Sequence, residues 1–233
     1  MYPFADVREG YDTLWSMVRA RIGVGPERLD HDIDIHDSWR RDDLVLGQTC
    51  GWPLVTQLPE LVVVGALEPM VDHAEGHRYR SVVVASKASP TGVVAANSPD
   101  SLSGWVSLVH ALGRVPADVL WTGSHAESLR AVGEGRADTA SLDAVTWVHL
   151  RRIAPERAQS VTVTGLGPLV PSLPLVMAPR FADLLPAMRQ ALAEIVTSPE
   201  FVAWADRLRI AGFVPLDRHE YEGLRALEPR ATH

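Results

Sequence analysis

From Val93 onward the chain repeats one pattern: a short apolar run, a polar turn, then an amphipathic segment. The periodicity predicts strands at 93–97, 118–121, 138–142 and 160–164, with helices at 103–113, 125–133 and 143–152 between them. A strand that rejoins its sheet through a helix does so in parallel. The alternation therefore restricts this part of the chain to an α/β architecture with a mainly parallel sheet.

The flanking sequence carries the same kinds of element. Residues 6–22 place Val7, Tyr11, Leu14, Trp15, Val18 and Ile22 on one helical face. Residues 30–35 alternate like a short strand, and 44–47, 61–67 and 79–85 read as buried strands. Two more helices are expected at 181–196 and 199–210. For the second, Ser198 serves as cap, Pro199 stands at the first position and Gly212 closes the helix. Polar or Pro/Gly-rich breaks at 72–77 and 164–168 set off an α/β block over 81–165. The flanks, 1–80 and 166–233, then form a second, discontinuous lobe. An inserted lobe reached by two crossing strands is a hinge arrangement, with the ligand expected in the cleft between lobes.

Charge and cysteine content narrow the classes of function. A net charge of −7 without any block of basic residues argues against a nucleic-acid surface. The single cysteine, Cys50, excludes an internal disulfide and a cysteine-based zinc cluster. No apolar run is long enough for a membrane span, and no leader pattern stands at the start, so the chain as written reads as cytoplasmic. Loss of a leader would make it periplasmic.

Four polar turns follow predicted strands, where α/β sheets hold their ligands. They are Gln48-Thr49-Cys50-Gly51-Trp52, Asn97-Ser98-Pro99-Asp100-Ser101-Leu102-Ser103-Gly104, Trp121-Thr122-Gly123-Ser124-His125 and Ser141-Leu142-Asp143. In the second, Ser101 and Ser103 stand where hydroxyls cap a helix, and Gly104 lets the backbone approach a neighbour closely. The turn is either an ordinary cap or an anion site built on the helix N-terminus. His125, also at a helix start, is either a contact for an anionic ligand or a surface histidine. Asp143 either accepts from a ligand amine or caps its own helix. Trp52, Trp105 and Trp147 wall a pocket or pack in the core. Cys50 reads as a structural thiol; a nucleophile there would need a base such as His125 or His110. His31 and His36 among Asp32, Asp34 and Asp37 read as a solvated acidic edge rather than a metal site. No Gly-x-Ser-x-Gly elbow or phosphate-binding loop with lysine occurs, which argues against an enzyme, and no cofactor or metal is implied.

These turns, together with Tyr79-Arg80-Ser81, Gly123-Ser124-His125-Ala126-Glu127-Ser128-Leu129 and Val132-Gly133-Glu134-Gly135-Arg136-Ala137-Asp138, make the chain resemble the phosphate/phosphite/phosphonate-type substrate-binding proteins of ABC transporters, over about residues 1–225. The resemblance implies a type 2 periplasmic-binding-protein fold: two α/β lobes, two crossover strands and a ligand in the cleft. It implies that Ser101, Ser103 and the amides near Gly104 grip the anion, that His125 contacts it, and that Asp143 meets a ligand amine. Leu102, Tyr79, Ser81, Gly51, Trp52 and Tyr2 complete the expected ligand-binding set. The implied partners are a small anionic ligand and an ABC-transporter permease. Leu102 stands where relatives often carry a hydroxyl in Ser-Thr-Ser-Gly, which points to fewer hydroxyls on the anion or to an apolar part of the ligand. The family's first strand, with its usual leader or lipoprotein anchor, is expected to be missing or truncated before Met1. The alternative reading is an enzyme on the same fold, like those of the menaquinone pathway or thiamine-pyrimidine synthesis, or else a ligand sensor.

Overall fold

Two short apolar runs, Val62-Val63-Val64 and Val82-Val83-Val84, lie on interior strands of two separate β-sheets in the computed structural model, which describes residues 4–229. In chain order the strands are β1 (Gly47–Gln48), β2 (Val62–Pro69), β3 (Arg78–Ser86), β4 (Val93–Ala96), β5 (Asp118–Trp121), β6 (Thr139–Leu142), β7 (Val161–Pro171), β8 (Pro174–Met177) and β9 (Ile210–Val214). The α-helices are α1 (Ala5–Ile22), α2 (Ile35–Trp39), α3 (Gly51–Thr56), α4 (Ser107–Leu112), α5 (His125–Gly133), α6 (Ala144–Ile153), α7 (Pro155–Gln159), α8 (Leu185–Val196), α9 (Val202–Leu208) and α10 (His219–Glu222). Of the described residues, one compact unit takes in those up to Met70 together with Glu75–Arg78 and Pro171–Glu222. The other takes in Val71–Ala74, Tyr79–Val170 and those from Gly223 on.

In the first unit the sheet order is β1-β8-β2-β9, and each pairing is antiparallel. The helical stripe of α1 is buried as its spacing requires: Val7, Tyr11, Leu14, Trp15 and Val18 pack with Met188, Leu192 and Ile195 of α8 and with Val64 and Leu175 of the sheet. Burying each large apolar side chain contributes about 1.5–3 kcal/mol, so this stripe anchors the unit.

Several local expectations are corrected here. Residues 30–35 form no strand, because their aspartates bind the backbone instead. Asp30 Oδ1 accepts from the Asp32 and Ile33 N–H groups, and Asp34 caps α2 by accepting from His36 and Asp37. His31 pairs with Asp12 at 2.7 Å. The strand expected at 44–47 is confined to Gly47–Gln48. Residues 179–184 form a 3-10 turn, so the helix expected from 181 begins at Leu185. Ser198 and Pro199 precede a turn, and α9 begins at Val202 with Phe201 as its cap. The close of α9 is Arg209 in the left-handed conformation (φ 58°), not Gly212. Gly212 lies within β9 opposite Glu68, whose carboxylate occupies the space a side chain would need.

The second unit holds a five-stranded sheet in the order β5-β4-β6-β3-β7. Strand β4 runs parallel to both β5 and β6, whereas β3 runs antiparallel to β6. The parallel expectation therefore holds for the βα units of β4, β5 and β6, and β3 enters in the reverse sense. This brings the start of β3 to the end of β6, with Val82 opposite Leu142.

Asp138 fastens the entry to this sheet. One carboxylate oxygen accepts from the Thr91 N–H (2.6 Å) and hydroxyl (2.8 Å), the other from the Gly92 N–H (2.7 Å). These donors hold its carboxyl below the usual range. A depressed folded value means stability that is present at neutral pH and lost as the pH falls below about 4. Because the carboxylate still meets solvent, Asp138→Asn is expected to cost only about 1 kcal/mol at pH 7. It should also flatten the loss of stability on acidification, and thermal melts from pH 3 to 7 measure both effects.

Candidate functional site

Strands β4, β5 and β6 are neighbours and parallel, so the turns that leave their carboxyl ends meet at one sheet edge. Each turn opens a helical segment, and each segment is capped by the side chain the sequence offers. Ser101 Oγ accepts from the Gly104 N–H (2.9 Å), Ser124 Oγ from Glu127 N–H (3.2 Å) and Asp143 Oδ1 from Thr146 N–H (2.8 Å). Three positive helix ends thus point toward the same edge.

The helix after β4 does not start as a regular α-helix. Residues Leu102–Val106 make a π-helical turn, with Val106 N–H reaching back to the Ser101 carbonyl (3.0 Å), and α4 continues from Ser107. Such wide turns recur at functional sites. The neighbour that Gly104 approaches is Asn97: an added Cβ would run into Asn97 Oδ1 and lie 3.0 Å from Ser101 Oγ. Gly104→Ala is accordingly expected to cost about 1–3 kcal/mol through overpacking. Thermal unfolding of G104A should show this loss, with partial recovery when Asn97→Ser makes room.

Ser101, Leu102 and Ser103 are all buried. Ser103 is held from two sides: its Oγ lies 3.0 Å from His125 Nε2, and its carbonyl accepts from the Ser141 hydroxyl at 2.7 Å. Burial pushes the His125 ring below its ordinary value and favours the neutral form, while the Asp143 carboxylate and the Ser141 backbone act in the opposite direction. His125 Nδ1 is buried without a hydrogen-bond partner. Asp143 is 2 % exposed, and its second oxygen accepts from the Tyr79 hydroxyl at 2.6 Å. Ser81, opposite the end of β6, donates to Ser107 Oγ at 3.3 Å. Arg80, the nearest cation in the sequence, is turned to the Gly167 carbonyl at 3.2 Å.

The structure therefore brings Ser101, Leu102, Ser103, Gly104, His125, Asp143, Tyr79 and Ser81 to one edge of the second unit's sheet. Gly51 and Trp52 belong to the first unit, where Gly51 begins α3 and Cys50 is its cap residue. Of the four polar turns that follow predicted strands, three therefore share this edge, because the strand before Cys50 belongs to the other sheet. Tyr2 lies outside the described residues. Trp147 is a core residue of α6, whereas Trp105 stacks edge-on against Trp121 (centroids 5.2 Å apart), which is 44 % exposed. Two serines outside the expected set, Ser107 and Ser141, are completely buried here. For Ser141 the available signal was a hydroxyl inside the apolar run Thr139-Ala140-Ser141-Leu142, since a buried hydroxyl needs a partner. Among the described residues no group of three or more metal-ligating side chains comes together, and no helix is long and apolar enough to cross a membrane.

Hydroxyls, helix N-termini and a buried histidine at the carboxyl edge of a parallel sheet are the parts of a solute-binding module. The model of the family "ABC transporter, phosphonate, periplasmic substrate-binding protein" matches residues 51–221, and the chain belongs to that family. Its fold is that of the type 2 periplasmic binding proteins. PhnD1 from Prochlorococcus marinus, solved in complex with methylphosphonate, is similar at 17% identity and a TM-score of 0.76, covering 96% of this chain and 93% of that one. The binding protein component of an ABC phosphonate transporter from Pseudomonas aeruginosa has 17% identity, a TM-score of 0.73 and coverages of 94% and 81%. The GluR0 ligand-binding core from Nostoc punctiforme, in complex with (L)-glutamate, is more distant, at 13% identity, a TM-score of 0.59 and coverages of 85% and 90%. No curated protein sequence matches the chain.

Proposed function

We propose that this chain binds a small phosphonate-like oxyanion as the solute receptor of an ABC-type uptake system. The observation that carries the reading is the convergence of three capped helix N-termini on one sheet edge, with the buried hydroxyls of Ser101 and Ser103 among them. Such an edge supplies hydrogen-bond donors and positive dipole ends, with no lysine or arginine in the turns, so the anion is held by dipoles and not by a counter-charge. Family membership and the methylphosphonate bound by the Prochlorococcus relative support the phosphonate class. Tyr79 and Asp143 form the acceptor side, suited to a protonated oxygen or an amine on the ligand. A membrane permease of the same transporter is the partner, and the periplasm the compartment in which such a receptor works.

Calorimetric titration with methylphosphonate, 2-aminoethylphosphonate, phosphite, phosphate and sulfate tests the reading. At least one phosphorus oxyanion is expected to bind with a micromolar or lower Kd, with (L)-glutamate giving no heat. Absence of heat with every phosphorus oxyanion would sink it.

A further inference from the structure

Ser172 uses its N–H, its hydroxyl and its carbonyl to tie down residues that stand beside the places where the chain changes unit. Its N–H donates to the His77 carbonyl (2.8 Å) and its Oγ to the Leu67 carbonyl (2.9 Å), while its own carbonyl accepts from the Tyr221 hydroxyl (3.0 Å). The chain leaves the first unit for the short excursion Val71–Ala74, and then passes between units at Arg78–Tyr79, Val170–Pro171 and Glu222–Gly223. Leu67, His77, Ser172 and Tyr221 each lie within three residues of such a passage, and all of them belong to the first unit. We infer that Ser172 is the anchor of the hinge. It knots the passages to the first unit, so that rotation of the units on ligand binding is taken up outside the knot, at Arg78–Tyr79, Val170–Pro171 and Glu222–Gly223.

The inference rests on the solute-receptor reading above, in which a ligand favours one arrangement of the units over others. Its physical basis is a contrast in stiffness. Ser172 is 5 % exposed and Tyr221 is fully buried, so water does not compete for these bonds. The two side-chain bonds reach 105 and 49 positions along the chain, and therefore fasten segments that covalent neighbourhood leaves free. Pro171 and Pro174 fix φ on either side of Ser172-Leu173. Just past the last passage stands Gly223, between α10 and a 3-10 turn, where an added Cβ would meet nothing within 4 Å. An element-terminal glycine in open space can absorb backbone rotation that the knot cannot. A loosened knot would give the ligand-free protein more arrangements, which the ligand must then freeze out. Affinity would fall although no ligand contact is lost.

Two measurements decide the matter. In ligand-free wild type, hydrogen exchange followed by NMR is expected to show the Ser172 amide within about tenfold of Val176, a buried residue of β8. A Ser172 amide that exchanges faster than that overturns the proposal. Calorimetric titration with methylphosphonate then compares Ser172→Ala, Tyr221→Phe and the double variant with Val18→Ala, which destabilises the α1 core without touching a passage. S172A and Y221F are each expected to weaken binding by about three- to tenfold, and the double variant to be no weaker than the weaker single, since both act on one knot. V18A is expected to stay within about twofold of the wild type while its Tm falls. Wild-type affinity in both S172A and Y221F, losses that multiply in the double variant, or an equal loss in V18A overturns the proposal, because the bonds would then serve stability alone. A wild type that binds no phosphorus oxyanion refutes the solute-receptor reading instead, and the exchange rates, which need no ligand, tell the two failures apart.

Discussion

Replacing Ser101 and Ser103 together with alanine is expected to weaken phosphonate binding at least a hundredfold. On the proposed reading each buried hydroxyl donates to the anion, and a hydrogen bond to a charged group is worth about 1.5–3 kcal/mol, so two exceed the roughly 2.7 kcal/mol of a hundredfold change. Ser101 also caps the Gly104 N–H, so the double variant should lose a further ~1 kcal/mol of stability without ligand. In a chain of this size that is a drop of about 2–4 °C in Tm. Titration with methylphosphonate and melting without it separate the two effects. Binding within threefold of the wild type would remove both serines from the site.

The second large effect is expected in the first unit, at Arg218. Its guanidinium donates to the Leu54 carbonyl at 2.9 Å, Leu58 at 2.7 Å and Leu61 at 2.9 Å, so one side chain satisfies the carbonyls of the α3 C-terminal region and the turn leading to β2. No carboxylate shares the work in these three bonds. Arg218→Met keeps the aliphatic stem and leaves three partly buried carbonyls without that donor. At about 1 kcal/mol for each, the loss is ~3 kcal/mol. The corresponding fall in Tm is about 10 °C. Arg218→Lys should recover little, because one ammonium cannot copy a planar fork. An exposed pair gives the contrast: breaking Arg41–Asp43 (2.6 Å) should leave Tm nearly unchanged, since solvent-exposed ion pairs contribute little. Chemical or thermal unfolding of R218M decides the claim, and a change below 1 kcal/mol would contradict it.

Both effects bear on how far the residues could be read without coordinates. The βα units over 93–153 were legible because their signals are local. The spacing predicts strand 118–121 and helix 125–133, and both stand at those bounds, because apolar period and cap chemistry are properties of a few consecutive residues. The aspartate-rich stretch 30–35 misled for a local reason too: alternation imitates a strand, but Asp side chains compete for the backbone and close turns instead. Arg218 had no local signal at all. Its acceptors lie 157–164 residues away, and nothing in the stretch around it distinguishes it from a solvated arginine.

The sequence by itself determined the class of fold and the helix starts bearing Ser101, Ser103, His125 and Asp143, since each follows from periodicity and capping over short spans. Only the tertiary structure decided what those residues do to one another. The antiparallel entry of β3 carries the Tyr79 hydroxyl to an aspartate 64 positions on, and the packing of β6 sets Ser141 against Ser103 across 38. It also assigned the Cys50 turn to the other sheet and identified Asn97 as the reason for Gly104. Strand sense and partner choice depend on burial summed over the whole chain, and no window of sequence contains that sum.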